Sequence, residues 1–205
     1  MDRHIATVLL CLGLCAALHA DIPGPPVDLL DGLDSGQVWA QFWGGGDTGV
    51  NGVIGRGEGG PSGVSIRPST QFWAQTGGRQ GQTSLGRTSV NLSSNTFAQV
   101  WIPTACTNIN RPAPTEEDVM EPFPCPNMDM ETLCSLSELP DAPRPAVQVA
   151  VWAIANNPTY TRVRRYVREA ARDSEGRLSV DSIMTGAARL LEATGLEPSE
   201  FRMYR

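Results

Sequence analysis

Hydrophobic and polar positions change rhythm along this chain. From Gln37 to Cys106 apolar residues recur in short runs at every second position, separated by Gly, Ser and Asn. In "QVWAQFW", Val38, Ala40 and Phe42 fall on one side and Gln37, Trp39, Gln41 and Trp43 on the other. Strand side chains point alternately to two faces, so this pattern reads as a half-buried strand. Further strands are expected at Val64–Ile66, at Gln71–Ala74, in "TSVNLSS" with Val90 and Leu92, and in "FAQVWIP" with Phe97, Val100 and Ile102. Short strands broken by turn residues predict a sandwich or a barrel.

From Pro145 the period becomes helical. "PAVQVAVWAIA" opens on proline, whose missing N–H costs nothing at a helix start, and stops at "NNP". "TRVRRYVREAARD" places Val163, Val167 and Ala170 on one face, with Arg162, Arg165, Arg168 and Arg172 towards solvent, and Gly176 breaks it. In "SVDSIMTGAARLLEAT", Ser179 is the candidate cap, Ile183, Ala187, Leu190 and Leu191 align, and Gly195 closes the helix.

The stretches between are irregular. Residues 21–36 form an entry segment with little period. Residues 44–63, "GGGDTGVNGVIGRGEGGPSG", read as a flexible hairpin or loop. Residues 107–145 carry Pro112, Pro114, Pro122, Pro124, Pro126, Pro140, Pro143 and Pro145, which leaves room for one short helix, in "MDMETLCSLSEL". The expected class is α+β: an N-terminal antiparallel β-sandwich or barrel followed by a small C-terminal helical subdomain. Its parts are a β-rich stretch at 21–110, a proline-rich crossover at 111–145 and a helical stretch at 146–205, together one compact domain.

Composition narrows the chemistry. Residues 1–20 read as a secretory signal: a charged start, an apolar run from Ile5 to Leu18, and small Ala20 as the cleavage point. The run is too short to span a bilayer comfortably, and no later stretch could. The expected product is therefore secreted or displayed at the cell surface, with no membrane insertion once the signal is removed. His4 and His19, the only histidines, leave with the signal. Cys–His and Ser–His catalysis and His-ligated metals are then excluded from the mature chain. All 16 basic residues are Arg, and the net charge of −6 opposes general nucleic-acid binding. The Gly-rich stretch has no lysine for a phosphate loop. Asp47, Asn51 and Glu58 match no calcium-loop spacing, and no cofactor or metal is expected. Glu116, Glu117 and Asp118 read as an exposed acidic run rather than a catalytic carboxylate pair.

Three cysteines remain after the signal: Cys106, Cys125 and Cys134. An odd number leaves one unpaired. Cys125 and Cys134 lie close together in the proline-rich crossover and form the expected bridge, so Cys106 is the leftover thiol. In the helix Ala146–Ala155 every residue is apolar except Gln148. A helix apolar all round is buried, and its lone amide must find partners inside the protein. A cysteine without a disulfide partner, a glutamine held against it and dry packing are what an internal thioester requires.

"IPTACTNINRPAP", followed by "AVQVAVWAI", resembles the two signature motifs of bacterial surface thioester domains. There a cysteine ends a strand, and a glutamine lies downstream in an apolar setting with Trp nearby. Cys106 and Gln148 fall on these positions, flanked by Val147, Val151 and Trp152. The order of a β-rich half, cysteine, crossover and helices also fits, over roughly Gln37–Tyr160. The resemblance implies a protein that couples once, covalently, to an amine on a protein or other surface ligand. Such coupling implies single use rather than enzymatic turnover. Thr104, Thr107 and Asn108 are local candidates to steady the oxyanion, and Trp152 to support the glutamine. The alternative is a non-covalent secreted binding or structural protein of the same fold, with Cys106 an inert thiol and surface aromatics such as Trp43 and Trp73 meeting a ligand.

Overall fold

The computed structural model describes residues 24–137 and 139–205; the leader expected at 1–20 lies outside the described residues. The chain enters through strand β1 (Val27–Asp28) and helix α1 (Leu29–Asp34), whose first turn is capped by the Asp28 carboxylate accepting from Leu30 N at 3.0 Å. The strands that follow are β2 (Val38–Gly44), β3 (Gly49–Arg56), β4 (Gly63–Ile66), β5 (Gln71–Ala74), β6 (Gln82–Ser84), β7 (Thr88–Asn91), β8 (Phe97–Cys106) and β9 (Val119–Phe123). Six of them close an antiparallel barrel in the order β2-β3-β8-β6-β5-β9, and β1, β4 and β7 form a separate three-stranded sheet. The barrel is thus N-terminal and the helices C-terminal, the α+β arrangement expected from the change of period.

The alternation in β2 holds: Val38 and Phe42 are buried, and Trp39 and Gln41 face out. Phe42 meets Phe72 edge-on inside the barrel, with ring centroids 5.2 Å apart.

Two expectations are corrected. Eight of the twenty residues of the glycine-rich stretch read as a flexible hairpin or loop are strand β3, whose residues 50–56 pair with β2, so the stretch is the regular second arm of a hairpin rather than a flexible one. Its glycines make room for neighbouring aromatics. A Cβ on Gly52 would lie 2.4 Å from the Phe42 ring, and one on Gly49 would lie 2.1 Å from Trp101. Second, the proline-rich crossover contains β9, which closes the barrel between β2 and β5, so the β-rich part does not end at residue 110. Pro122 is tolerated because it pairs across to Phe72 on β5 only; the register with β2 is confined to Val119 and Met120.

The short helix in the crossover is α2 (Met128–Cys134). The three C-terminal helices are α3 (Arg144–Asn156), α4 (Tyr160–Asp173) and α5 (Val180–Ala193). Asn157 ends α3 in the left-handed conformation, at φ 43°. Ser179 and Ser182 cap α5 reciprocally. Val163 and Val167 of α4 face inward while its arginines are exposed, and α3 is buried from Ala146 to Ala153. The helices pack around α3 in a second core, distinct from the barrel interior, and Ala105 of β8 belongs to it. No helix among the described residues is long and apolar enough to cross a membrane.

One consequence of the register positions the site. β8 pairs with β3 from Phe97 to Pro103, then with β6 from Thr104 to Cys106. Its last residues therefore run beneath α3, at the junction of the two cores.

Candidate functional site

Cys106 is the last residue of β8 and only 1% exposed. Its peptide groups do not continue into a ladder with α3, which is helical, so a side chain must satisfy them. Gln148 does so at both ends. Cys106 N donates to Gln148 Oε1 at 2.9 Å, and Gln148 Nε2 donates to Cys106 O at 2.7 Å. The lone polar residue of the apolar stretch 146–155 is thus spent on the cysteine 42 positions earlier. The structure brings together the two residues singled out in the sequence.

The sulfur itself faces elsewhere. Gln82 Nε2 lies 3.9 Å from Cys106 Sγ, and the carbonyl of Asp47 lies 3.8 Å from it. Gln82 is the cross-strand partner of Cys106 and is fully buried. Its Oε1 accepts from the Thr104 hydroxyl at 2.8 Å, and its Nε2 also donates to the carbonyl of Gly46. Thr104 and Cys106 share a face of β8 because they are two residues apart.

The turn between β2 and β3 covers the sulfur. Asp47 and Thr48 are exposed at its tip, yet their carbonyls point inward to Arg144 Nη2, at 3.4 and 3.1 Å. Burial lowers the pKa of the Arg144 guanidinium and raises that of Tyr166, whose ring stands edge-on to Trp152 at 4.8 Å. Burial also pushes the Cys106 thiol up to about 12; the Gln82 hydrogen bond and the Arg144 charge oppose this, and Asp47 adds to it. A thiol that high holds almost no thiolate at neutral pH, so Cys106 resists alkylation whether or not its sulfur is bonded.

The other expected residues scatter. Thr104 stands in the site, on Gln82 rather than on Gln148. Thr107 follows the cysteine, and its backbone N–H donates to Gly81 O at 2.8 Å. Asn108 closes a local turn through Asn110 N at 3.0 Å. With Trp73, Ile154 and Asn156, these two line a surface cleft that does not include Cys106. Trp152 is buried one turn beyond Gln148, with no hydrogen-bond partner at Nε1.

The bridge expected between Cys125 and Cys134 is not formed, and none of the three cysteines among the described residues is in a disulfide. Cys134 Sγ turns into the core towards the Thr83 hydroxyl at 3.8 Å, while Cys125 Sγ sits near Gln71 Nε2 and the Asn127 carbonyl, at 3.6 and 3.4 Å. The acidic run also divides. Asp118 is buried and accepts from Thr115 N at 2.7 Å and from Arg79 at 3.0 Å, so it fastens the crossover to the barrel. These bonds hold its carboxyl below the usual carboxylate range.

Sequence reasoning missed Gln82, Arg144, Tyr166 and the inward carbonyls of the β2–β3 turn. Gln82 lies in "GQTSLG", a short polar run without apolar alternation, and only the register of β6 against β8 reveals its neighbour. No family model, curated protein or solved structure matches this chain.

Proposed function

We propose that this is an exported protein in which Cys106 forms an internal thioester with a glutamine packed against it, assigned from the sequence to Gln148. The bond forms when the thiol sulfur attacks the carboxamide carbon. The S–C bond replaces the C–N bond, and ammonia leaves with the thiol proton. An amine on a partner then attacks the same carbon, becomes amide-linked to it and returns Cys106 as a thiol. The coupling is single-use, and the partner is a protein or other amine-bearing surface ligand. The chain's own lack of lysine removes the side-chain amines that would otherwise compete.

The observation that carries this reading is a buried, unbridged cysteine with two buried glutamine carboxamides against it, Gln148 on its peptide and Gln82 on its sulfur. Such a setting excludes the water that would hydrolyse the product. Incubation with methylamine should add one methylamine per chain and release one thiol, and Cys106→Ala should abolish both. Equal uptake by wild type and variant, or none by either, contradicts the reading.

The outer face of the barrel supports a second, non-covalent function. Phe97, Gly55 and Trp39 form one cross-strand row, and Trp101, Asn51, Trp43 and Val119 another, with the row of Gln41, Val53 and Gln99 between them on the same face. Trp39, Trp101 and Phe97 are about half exposed, as is Trp73 on β5, so these aromatics are not spent on the core. Binding through this face would survive Cys106→Ala, whereas covalent capture would not.

A further inference from the structure

Resting on the thioester reading above, we propose that Gln82, not Gln148, supplies the acyl carbon to Cys106, and that Gln148 is a positioning residue that holds the cysteine in place. Gln82 and Cys106 are directly opposite in the antiparallel register of β6 and β8, so their side chains leave the sheet on the same face. The Gln82 amide nitrogen is 3.9 Å from the sulfur. Gln148, by contrast, uses both ends of its carboxamide on the Cys106 peptide. Swinging that amide to the sulfur would strand a buried N–H and a buried C=O, both costly to leave unpaired.

The surroundings of Gln82 are matched to acyl transfer. The Thr104 hydroxyl, fully buried, donates to Gln82 Oε1 at 2.8 Å, where negative charge develops as the sulfur adds to the carbonyl carbon. The Gly46 carbonyl holds the Gln82 nitrogen, which fixes which end of the amide meets Thr104. When Sγ bonds to Cδ, the C–N bond breaks and ammonia departs with the thiol proton. Subsequent attack by an amine joins that amine to Gln82 and restores the Cys106 thiol. Thr104 thereby becomes the oxyanion donor; it is two residues from the cysteine on the same strand face.

The sequence makes the assignment readable by peptide mapping. Trypsin releases Gln80–Arg87 as one peptide, whereas Cys106 and Gln148 both remain on residues 88–162, because Arg111 and Arg144 each precede proline. The full chain is treated with methylamine, denatured, digested and fragmented. The adduct is expected at Gln82 within Gln80–Arg87, and Gln82→Glu should lose it while Gln148→Glu keeps it on the chain that folds. An adduct at Gln148 overturns this assignment and leaves the thioester reading standing. No adduct at either glutamine overturns both.

Discussion

Replacing Gln148 with alanine should lower the unfolding free energy by about 2–5 kcal/mol. The loss has two sources. The Cys106 N–H and C=O lose their partners in a place that is 1% exposed, and a gap opens beside α3. Urea unfolding of the Cys106→Ala background, with and without Gln148→Ala, measures the structural part separately from any bond at the sulfur. A loss below about 0.5 kcal/mol would mean that the paired hydrogen bonds do not hold the junction. Gln148→Glu adds a pH signature. Protonated, the acid accepts from Cys106 N and donates to Cys106 O; ionised, it sets a buried anion against that carbonyl. Its folded pKa is therefore raised above the unfolded value. The stability it contributes is present below about pH 4.3 and is lost as pH rises through the folded pKa. The deficit relative to wild type should shrink as the solution is acidified towards pH 4.

Gly52→Val should cost about 3 kcal/mol, by overpacking. A Cβ there would stand 2.4 Å from Phe42 Cδ1, and Phe42 cannot retreat because it is buried against Phe72. Gly55→Val should cost clearly less. Its Cβ would meet Trp39 at 2.2 Å, but Trp39 is half exposed and can swing outward. Urea midpoints at constant slope give both values. Equal, near-zero losses would contradict the placement of β3 in the barrel wall.

Those two positions show what the sequence conveys and what it conceals. Periodicity reports the burial of a segment's own side chains. It was legible in β2, where Val38 and Phe42 go in, and in α4 and α5, where Val163, Val167, Ile183 and Leu191 form inward stripes. In β3 the relevant volume belongs to neighbours: Phe42, Trp39 and Trp101 fill the space that its glycines leave. A composition rule reads such a strand as a loop. β9 was concealed for a related reason, since its Pro122 needs a ladder on one side only.

The site divides in the same way. Gln148 stood out as a single amide in an apolar helix, and Cys106 as the cysteine left over; their contact agrees with both readings. The leftover argument nevertheless relied on a bridge between Cys125 and Cys134 that the structure does not contain. Gln82 was invisible because a polar residue in a short polar strand carries no local signal. Its importance comes entirely from lying opposite Cys106 in the register. Asp118 likewise shares its acidic run with Glu116 and Glu117, which are exposed, and is set apart by its bonds to Thr115, Thr76 and Arg79.

The most direct test of the central claim is the mass of the untreated protein, exported, purified and denatured in acid so that no amine or hydroxide attacks it. Alkylation would not serve, because burial alone suppresses the Cys106 thiolate. The account predicts a chain lighter than its sequence mass by one ammonia, with Cys106→Ala at full mass. A wild-type chain at full sequence mass, indistinguishable in this respect from the variant, would contradict the thioester.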